Sequence, residues 1–192
     1  LPEMKATKKC TYNIGLRDDE TTCHISGMAI TNDKHIQMTD YNNGNVKMFS
    51  NDMKFLSSVS VPDGPKDIVV ISDKEAVVTT DNNSLVILDI SGRQLSIKTT
   101  TQLSFCVEGI SRYNDKLVVT SPDSDPPSVK LIDQTGRVYW SVSPDRQGGV
   151  SWGEPSSYVS SPGDGRSSTV IVTDLSNHML TLLNGDTGEV IT

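Results

Sequence analysis

Apolar residues along this chain recur in short runs of about five positions, separated by polar turns rich in Asp, Asn and Gly. The runs are rich in Val, Ile and Thr, the residues that favour a pleated, half-buried strand. No long segment shows the 3.6-residue apolar period of an amphipathic helix. The pattern therefore predicts an all-β protein.

The runs repeat as a larger unit. Turns at Asn32-Asp33-Lys34, Ser72-Asp73-Lys74 and Asn114-Asp115-Lys116 lie 40 and 42 residues apart, and Gly163-Asp164-Gly165 follows 49 residues later. Each turn is followed by a strand-like run, a polar turn and a second run, as in "HIQMT" and "NVKMF" of the first unit. Four short strands in a unit of about 40 residues are typical of a β-propeller blade. The sequence predicts a β-propeller with about four four-stranded blades.

The repeat divides the chain into a short N-terminal segment and four units. We predict an N-terminal segment at 1–24 and blades at about 25–62, 63–104, 105–149 and 150–192.

Charge and cysteine content narrow the function classes. The 192 residues carry 17 basic and 24 acidic side chains, so the net charge of −7 weighs against RNA and anionic membranes as unspecific partners. No run approaches the roughly 20 apolar residues of a membrane span. Cys10, Cys23 and Cys106 form no C-x-x-C pair, which favours reduced thiols and a cytoplasmic protein, with a Cys10–Cys23 disulfide as the alternative.

Two stretches of the repeat share an Asp–Asn pair, "MTDYNNGNVKMF" (38–49) and "VTDLSNHMLTLL" (172–183). An Asp that ends the second strand can accept N–H groups of the turn, and an Asn three residues later tolerates left-handed backbone. A ligand is not needed to explain either residue. We interpret five residues as structural turn caps: Asp40, Asn43, Asn83, Asp174 and Asn177.

Candidate catalytic and metal motifs are weak. Residues 149–153 match G-x-S-x-G, but a nucleophile elbow needs a strand, a turn and a helix, and His178 is the one histidine downstream. We interpret this match as a glycine-rich link between blades. The acidic residues at 17–20 and the pair Asp123 and Asp125 lack the spacing of a Ca²⁺ loop. We predict no catalytic residue, no metal and no cofactor, and therefore no enzyme activity in this chain.

The repeated apolar-x-apolar-Thr-Asp-x-x-Asn pattern resembles the NHL repeat. The opening at 8–33, with Cys-His-Ile-Ser-Gly at 23–27, is similar to the start of the C-terminal NHL-like domain of tripartite-motif (TRIM) ubiquitin ligase-like proteins. The second unit departs from the repeat at Thr80, and the third at Ser121 with the insertion 122–127. The resemblance implies a propeller of NHL type that is an incomplete part of a six-bladed ring, closed by an outer strand at 9–16.

The resemblance also implies a function. Such domains recognise proteins as the non-catalytic, substrate-binding end of a TRIM-NHL-like ubiquitin ligase, whose activity lies in an upstream RING domain. We expect an unidentified protein partner on the face formed by the loops near 41–42, 63–66, 81–82, 121–128 and 146–152. The candidate binding residues on these loops are Tyr41, Asn42, Lys66, Arg146 and Trp152.

Three further interpretations stay open. One is an RNA-binding NHL domain, which the net charge disfavours. Another is a lyase or lactonase that holds a metal in the central channel. In addition, an incomplete ring would leave blade edges exposed, and such edges favour self-association.

Overall fold

The computed structural model describes residues 10–123, 125–143, 155–160, 169–174 and 178–191, with 155–160 described by their backbone alone. These residues contain no helix. Their strands are β1 (Ile25–Ile30), β2 (Ile36–Asp40), β3 (Asn45–Phe49), β4 (Phe55–Ser60), β5 (Pro65–Val70), β6 (Glu75–Thr80), β7 (Ser84–Asp89), β8 (Ser96–Gln102), β9 (Ile110–Tyr113), β10 (Lys116–Ser121), β11 (Ser128–Ile132), β12 (Val138–Val142), β13 (Pro155–Ser160), β14 (Thr169–Asp174) and β15 (Met179–Asn184).

The strands form separate antiparallel sheets in chain order. Strands β1 to β4, β5 to β8 and β9 to β12 each make a four-stranded sheet, and β13 to β15 make a three-stranded one. Every sheet is a meander, in which each strand pairs with its neighbour in the sequence. The first strands of successive sheets, β1, β5, β9 and β13, lie next to one another. This arrangement is that of the blades of a β-propeller, as the repeat predicts.

Apolar cores lie between consecutive blades. Val46 and Met48 of the first blade pack against Val78 and Leu88 of the second, and all four side chains are fully buried. Because side chains alternate along a strand, each blade presents one apolar face to the blade before it and one to the blade after it. The second and third blades meet in the same way, and so do the third and fourth.

The fourth blade exposes apolar side chains at positions that are buried in the first blade. Leu180 pairs with Thr173 and Leu182 with Ile171, the register that Val46 and Met48 have in the first blade. Leu180 is 67% exposed and Leu182 40% exposed, whereas Val46 and Met48 are 0% exposed. The fourth blade therefore presents an apolar face that is uncovered in this chain.

The first strand of the early blades contains a bulge that links neighbouring blades. The register shifts between Ile25 and Gly27 in β1 and between Pro65 and Asp67 in β5. Ser26 Oγ, at the first bulge, donates to the Pro65 carbonyl at 2.7 Å. The bulges thus hold the inner strands together at one end of the central groove.

The N-terminal segment 10–24 forms no strand and runs along the turn of the first blade. The ring-closing strand that the resemblance implies at 9–16 stays a prediction. Among the described residues, no helix has the length and apolar character required to span a bilayer.

Candidate functional site

Tyr41, Lys66 and Asp81 meet on the predicted loop face, and we call these three residues the loop-face cluster. Tyr41 lies in the turn after β2, Lys66 is in β5, and Asp81 opens the turn after β6. The Tyr41 hydroxyl donates to Asp81 Oδ2, and Lys66 Nζ lies 3.0 Å from Asp81 Oδ1. The cluster therefore joins the first blade to the second through one carboxylate.

The segment that connects the first blade to the second leaves space for the side chains of the cluster. Asp63 and Gly64 both have left-handed backbone, with φ of 64° and 60°. A Cβ on Gly64 would lie 2.8 Å from Asp81 Oδ2 and 2.9 Å from Tyr41 Cε2, so a larger residue would displace both side chains. The Asp81 amide donates to the Asp63 carbonyl at 2.8 Å, which fixes the start of its turn. Glycine is thus required here by close approach as well as by conformation.

The pKa shifts of the three side chains all favour the ion pair and the neutral phenol. Burial disfavours ionisation of Asp81, but hydrogen bonds from Tyr41 and Lys66 lower its pKa below the ordinary value. The same carboxylate raises the pKa of Tyr41 through their hydrogen bond. For Lys66, burial lowers the pKa, but the contact with Asp81 outweighs it and the net shift is upward. Near neutral pH the cluster holds an ion pair with a neutral phenol.

The cluster is partly exposed to solvent. Tyr41 is 37% exposed, and the side chains of Asp81 and Lys66 are 40% and 18% exposed. The Tyr41 ring also contacts His24 edge to face, with the ring centres 5.7 Å apart. The cluster therefore presents an aromatic ring and an ion pair whose positions are defined by contacts within the protein.

The structure places the other candidate binding residues differently. Asn42 stays outside the cluster, because its side-chain amide donates to the Thr22 carbonyl at 3.0 Å and so holds the N-terminal segment. Arg146 and Trp152 lie outside the described residues.

The turn cap Asp40 belongs to a buried ion-pair network. Asp40 is fully buried and accepts the His24 amide at 2.9 Å, the Asn43 side chain at 2.8 Å and Lys47 Nζ at 2.7 Å. Lys47 is itself fully buried and lies 2.6 Å from Asp19 Oδ2. Burial opposes ionisation of Asp40, but these hydrogen bonds hold its pKa far below the ordinary value.

This network has the ligand types of a metal site but already contains a cation. Ligand atoms of Asp19, Cys23 and Asp40 lie within 4.8 Å of one another, the one such group among the residues the structure describes. Lys47 Nζ lies 3.2 Å from Cys23 Sγ and contacts both carboxylates. The ammonium group thus occupies the place of a metal ion, so a metal would have to displace a buried lysine.

The left-handed position of the first turn differs from the sequence prediction, because the left-handed residue is Gly44 and not Asn43. This turn is one residue longer than the turn of the second blade, where Asn83 is left-handed with φ of 63°. In the fourth turn His178 is left-handed, and Asn177 lies outside the described residues.

The remaining predicted caps occupy different surroundings. Asn43 acts as a connector, because its amide donates to Asp40 and its oxygen accepts the Thr21 amide. Asp174 is 2% exposed at the end of β14, and Asn177 lies outside the described residues.

The inner strands line a groove of about 600 Å³. Among the described residues that line it, Asp67 is the one with a carboxylate, and its two oxygens accept the Ile68 and Ile110 amides at 2.8 and 2.9 Å. Burial raises the pKa of Asp67 to about 6. Because both oxygens already bind backbone N–H groups, this carboxylate joins the second and third blades.

Sequence reasoning missed Lys47 and the role of Asp81. A signal for Lys47 existed, since a charged residue interrupts the apolar run "NVKMF". Its partner Asp19 lies 28 residues earlier in a segment without repeat pattern, so only the structure shows the pair. All three cysteines are free, so Cys10 and Cys23 form no disulfide.

Comparison with known proteins places the fold. No protein-family model matches the sequence, and no curated protein sequence matches it. Many solved structures resemble it, and three of them are described here. A chain of the nidogen/laminin complex has a TM-score of 0.66 at 19% identity, covering 88% of this chain and 64% of that one. A protein of unknown function from Bacteroides caccae has a TM-score of 0.68 at 16% identity, covering 90% and 61%. A streptogramin B lyase has a TM-score of 0.67 at 17% identity, covering 94% and 56%.

These likenesses show the fold and not the activity. Together with the all-β sheets, they identify the chain as a β-propeller. The chain spans about 56 to 64% of the length of the three structures.

Proposed function

We propose that this propeller is a protein-recognition domain that binds its partner through the loop-face cluster. The observation that carries the proposal is the cluster itself, in which two blades hold a half-exposed Tyr41 beside the Lys66–Asp81 ion pair. Tyrosine is enriched among residues that dominate interface energies, and groups already fixed in place lose little entropy on binding.

We further propose that recognition serves substrate selection in a TRIM-NHL-like ubiquitin ligase of the cytoplasm. The support is the repeat pattern and the NHL-like opening at 8–33. In this proposal the chain binds the substrate, and a RING domain elsewhere in the ligase transfers ubiquitin. RNA binding is less favoured, because Lys66, the lysine of the cluster, is neutralised by Asp81.

Affinity capture with matched variants tests the recognition surface. Tyr41→Ala removes the exposed ring of the cluster, and Tyr139→Ala removes a 47% exposed ring from the outer strand β12. We expect proteins captured by the wild type and by Tyr139→Ala to be lost with Tyr41→Ala, while the melting temperatures of both variants show that they fold. Equal capture by all three proteins would contradict the proposed surface.

The ligase proposal has its own test. The chain is fused after a RING domain and incubated with ubiquitin, activating enzyme and conjugating enzyme. Ubiquitin transfer to the captured protein that requires Tyr41 supports substrate selection. Capture without any transfer would leave a recognition domain and contradict the ligase role.

A further inference from the structure

Asn184 begins the turn after the third strand of the fourth blade, where the second and third blades have an aspartate. Asp89 ends β7 and Asn184 ends β15, and each pairs with the first residue of the second strand of its blade. Asp133 directly follows β11, at the corresponding place of the third blade. The repeat thus has an amide in the fourth blade at a position where it has a carboxylate in two others.

One side-chain oxygen has the same role in these three turns. Asp89 Oδ1 and Asp133 Oδ1 each accept the backbone amide two residues further along, at 2.8 Å. Asn184 Oδ1 accepts the Asp186 amide at 2.9 Å and the Thr187 amide at 3.3 Å. Because amide and carboxylate oxygens both accept such bonds, an aspartate at position 184 would fit the turn.

Gly185 follows Asn184 because a larger residue would collide with the third blade. A Cβ on Gly185 would lie 2.2 Å from Tyr113 Cε2, and the Gly185 carbonyl accepts Trp140 Nε1 at 2.9 Å. Asparagine is chemically labile, and a following glycine hinders attack on its side chain least, because glycine has no Cβ. Packing between the third and fourth blades therefore gives Asn184 its most reactive neighbour.

The hydrogen bonds of Asn184 leave its reacting atoms available. Its side-chain oxygen accepts two backbone N–H groups, which polarise the carbonyl and would stabilise an oxyanion at that atom. Within the described ranges, no group accepts a hydrogen bond from Asn184 Nδ2 or from the Gly185 amide. The nitrogen that would leave and the nitrogen that would attack are therefore not held by other described residues.

The chain contains one other Asn–Gly pair, Asn43 with Gly44, and its contacts are the opposite. Asn43 Nδ2 donates to Asp40 Oδ2 at 2.8 Å and to the Thr21 carbonyl at 3.1 Å. The Gly44 amide donates to the Tyr41 carbonyl at 3.3 Å. The same dipeptide thus occurs once with both nitrogens bonded and once with neither.

We propose that Asn184 is a site of spontaneous deamidation, from which Asn43 is protected by its contacts. The Gly185 backbone nitrogen attacks Asn184 Cγ, so an N–Cγ bond forms, the Cγ–Nδ2 bond breaks, and ammonia leaves with the amide proton. Water then opens the resulting five-membered imide. Addition at the side-chain carbonyl breaks the new N–Cγ bond and gives aspartate, whereas addition at the main-chain carbonyl breaks the original peptide bond and gives isoaspartate.

The two products affect the fourth blade differently. Aspartate keeps the acceptor for the Asp186 and Thr187 amides and reproduces the turn of the second and third blades. Isoaspartate adds a methylene group to the main chain beside the bridge between Leu183 and Val190. This inference goes beyond the proposed function, because the modified turn lies at the end of the blade opposite to the loop face.

Peptide mapping by mass spectrometry tests the site during incubation of the full chain at mildly alkaline pH. The folded chain is compared with the same chain kept unfolded in guanidinium chloride, where we expect Asn184 and Asn43 to convert at similar rates. In the folded chain we expect Asn184 to convert about tenfold faster than Asn43 or more, since two hydrogen bonds donated by Asn43 must break first.

Two variants complete the test. Asn184→Gln keeps the amide but lengthens the side chain beyond a five-membered ring, so it should stay unmodified. Asn184→Asp should melt at the wild-type temperature or above it. Equal rates at the two asparagines of the folded chain would overturn the proposal, and so would an Asn184 that stays intact while the unfolded chain converts. A melting temperature of Asn184→Asp below that of the wild type would contradict the fit of aspartate in the turn.

Discussion

The buried Lys47 determines how the Asp–Asn turn of the first blade contributes to stability. Asp40 holds Lys47, the Asn43 side chain and the His24 amide, so one carboxylate satisfies three donors. Removing it would leave a buried ammonium with Asp19 as its remaining carboxylate. Breaking one side of a buried ion pair is costly because the other charge stays out of water.

We therefore expect Asp40→Ala to lower the free energy of unfolding by about 3 kcal/mol at pH 7. The matched control is Asp115→Ala, because the Asp115 side chain is 82% exposed in a surface pair with Lys116. That control should change stability by less than about 1 kcal/mol. Urea denaturation measures both variants. Equal losses would show that the Asp40 network contributes no more than a surface pair.

Asp67 makes the stability of the fold fall as the pH rises, whereas an ordinary paired carboxylate makes it rise. Its pKa is about 6 in the fold against an ordinary value of 3.8, because burial penalises the charged form. The folded chain thus binds this proton more tightly than the unfolded chain. The contribution of Asp67 to stability is complete below pH 3.8 and is lost as the pH rises to about 6.

The difference in unfolding free energy between the wild type and Asp67→Asn isolates this effect. We expect the stability of the wild type relative to Asp67→Asn to fall by about 2.4 kcal/mol between pH 4 and pH 7. Denaturation curves at intervals across this range measure it. A difference that stays constant, or that moves in favour of the wild type, would contradict the raised pKa of Asp67.

At the scale of the blade, a side chain's contribution to stability depends on whether a neighbouring blade covers it. Met48 and Leu182 share one register position, but Met48 is 0% exposed between two blades and Leu182 is 40% exposed on the uncovered face of the fourth. Truncation of a buried side chain removes its transfer free energy and leaves a cavity, whereas truncation of an exposed one does neither.

We expect Met48→Ala to cost about 2 to 5 kcal/mol and Leu182→Ala less than about 1 kcal/mol. Both are measured by thermal and chemical denaturation of the same chain. If Leu182→Ala proved as costly as Met48→Ala, the fourth blade would be covered in solution, and its face would be an interface.

The repeat was enough to predict these blades but not their polar interiors. The run "NVKMF" predicts β3 with the bounds that the structure has, because strand propensity and turn chemistry act locally. The site depends on contacts between units. Tyr41 and Asp81 are 40 residues apart and meet only because the blades pack face to face.

At the scale of the whole molecule, the blades form a frame that holds loops in fixed relative positions. Buried cores run from the first blade to the fourth, and the bulged inner strands connect their inner edges. Tyr41 and Asp81 of the loop-face cluster lie in the turns that follow the second strands of the first and second blades, and the packing of these blades brings them together.

Hydrogen exchange of the chain with and without its captured partner tests this account most directly. We predict slower exchange on binding for the amides near 41–44, 63–66 and 81–83. The outer strands β8 and β12 should exchange at the same rates in both states. Protection confined to β8, β12 or the face of β15, with the loop amides unchanged, would contradict recognition through the loop face.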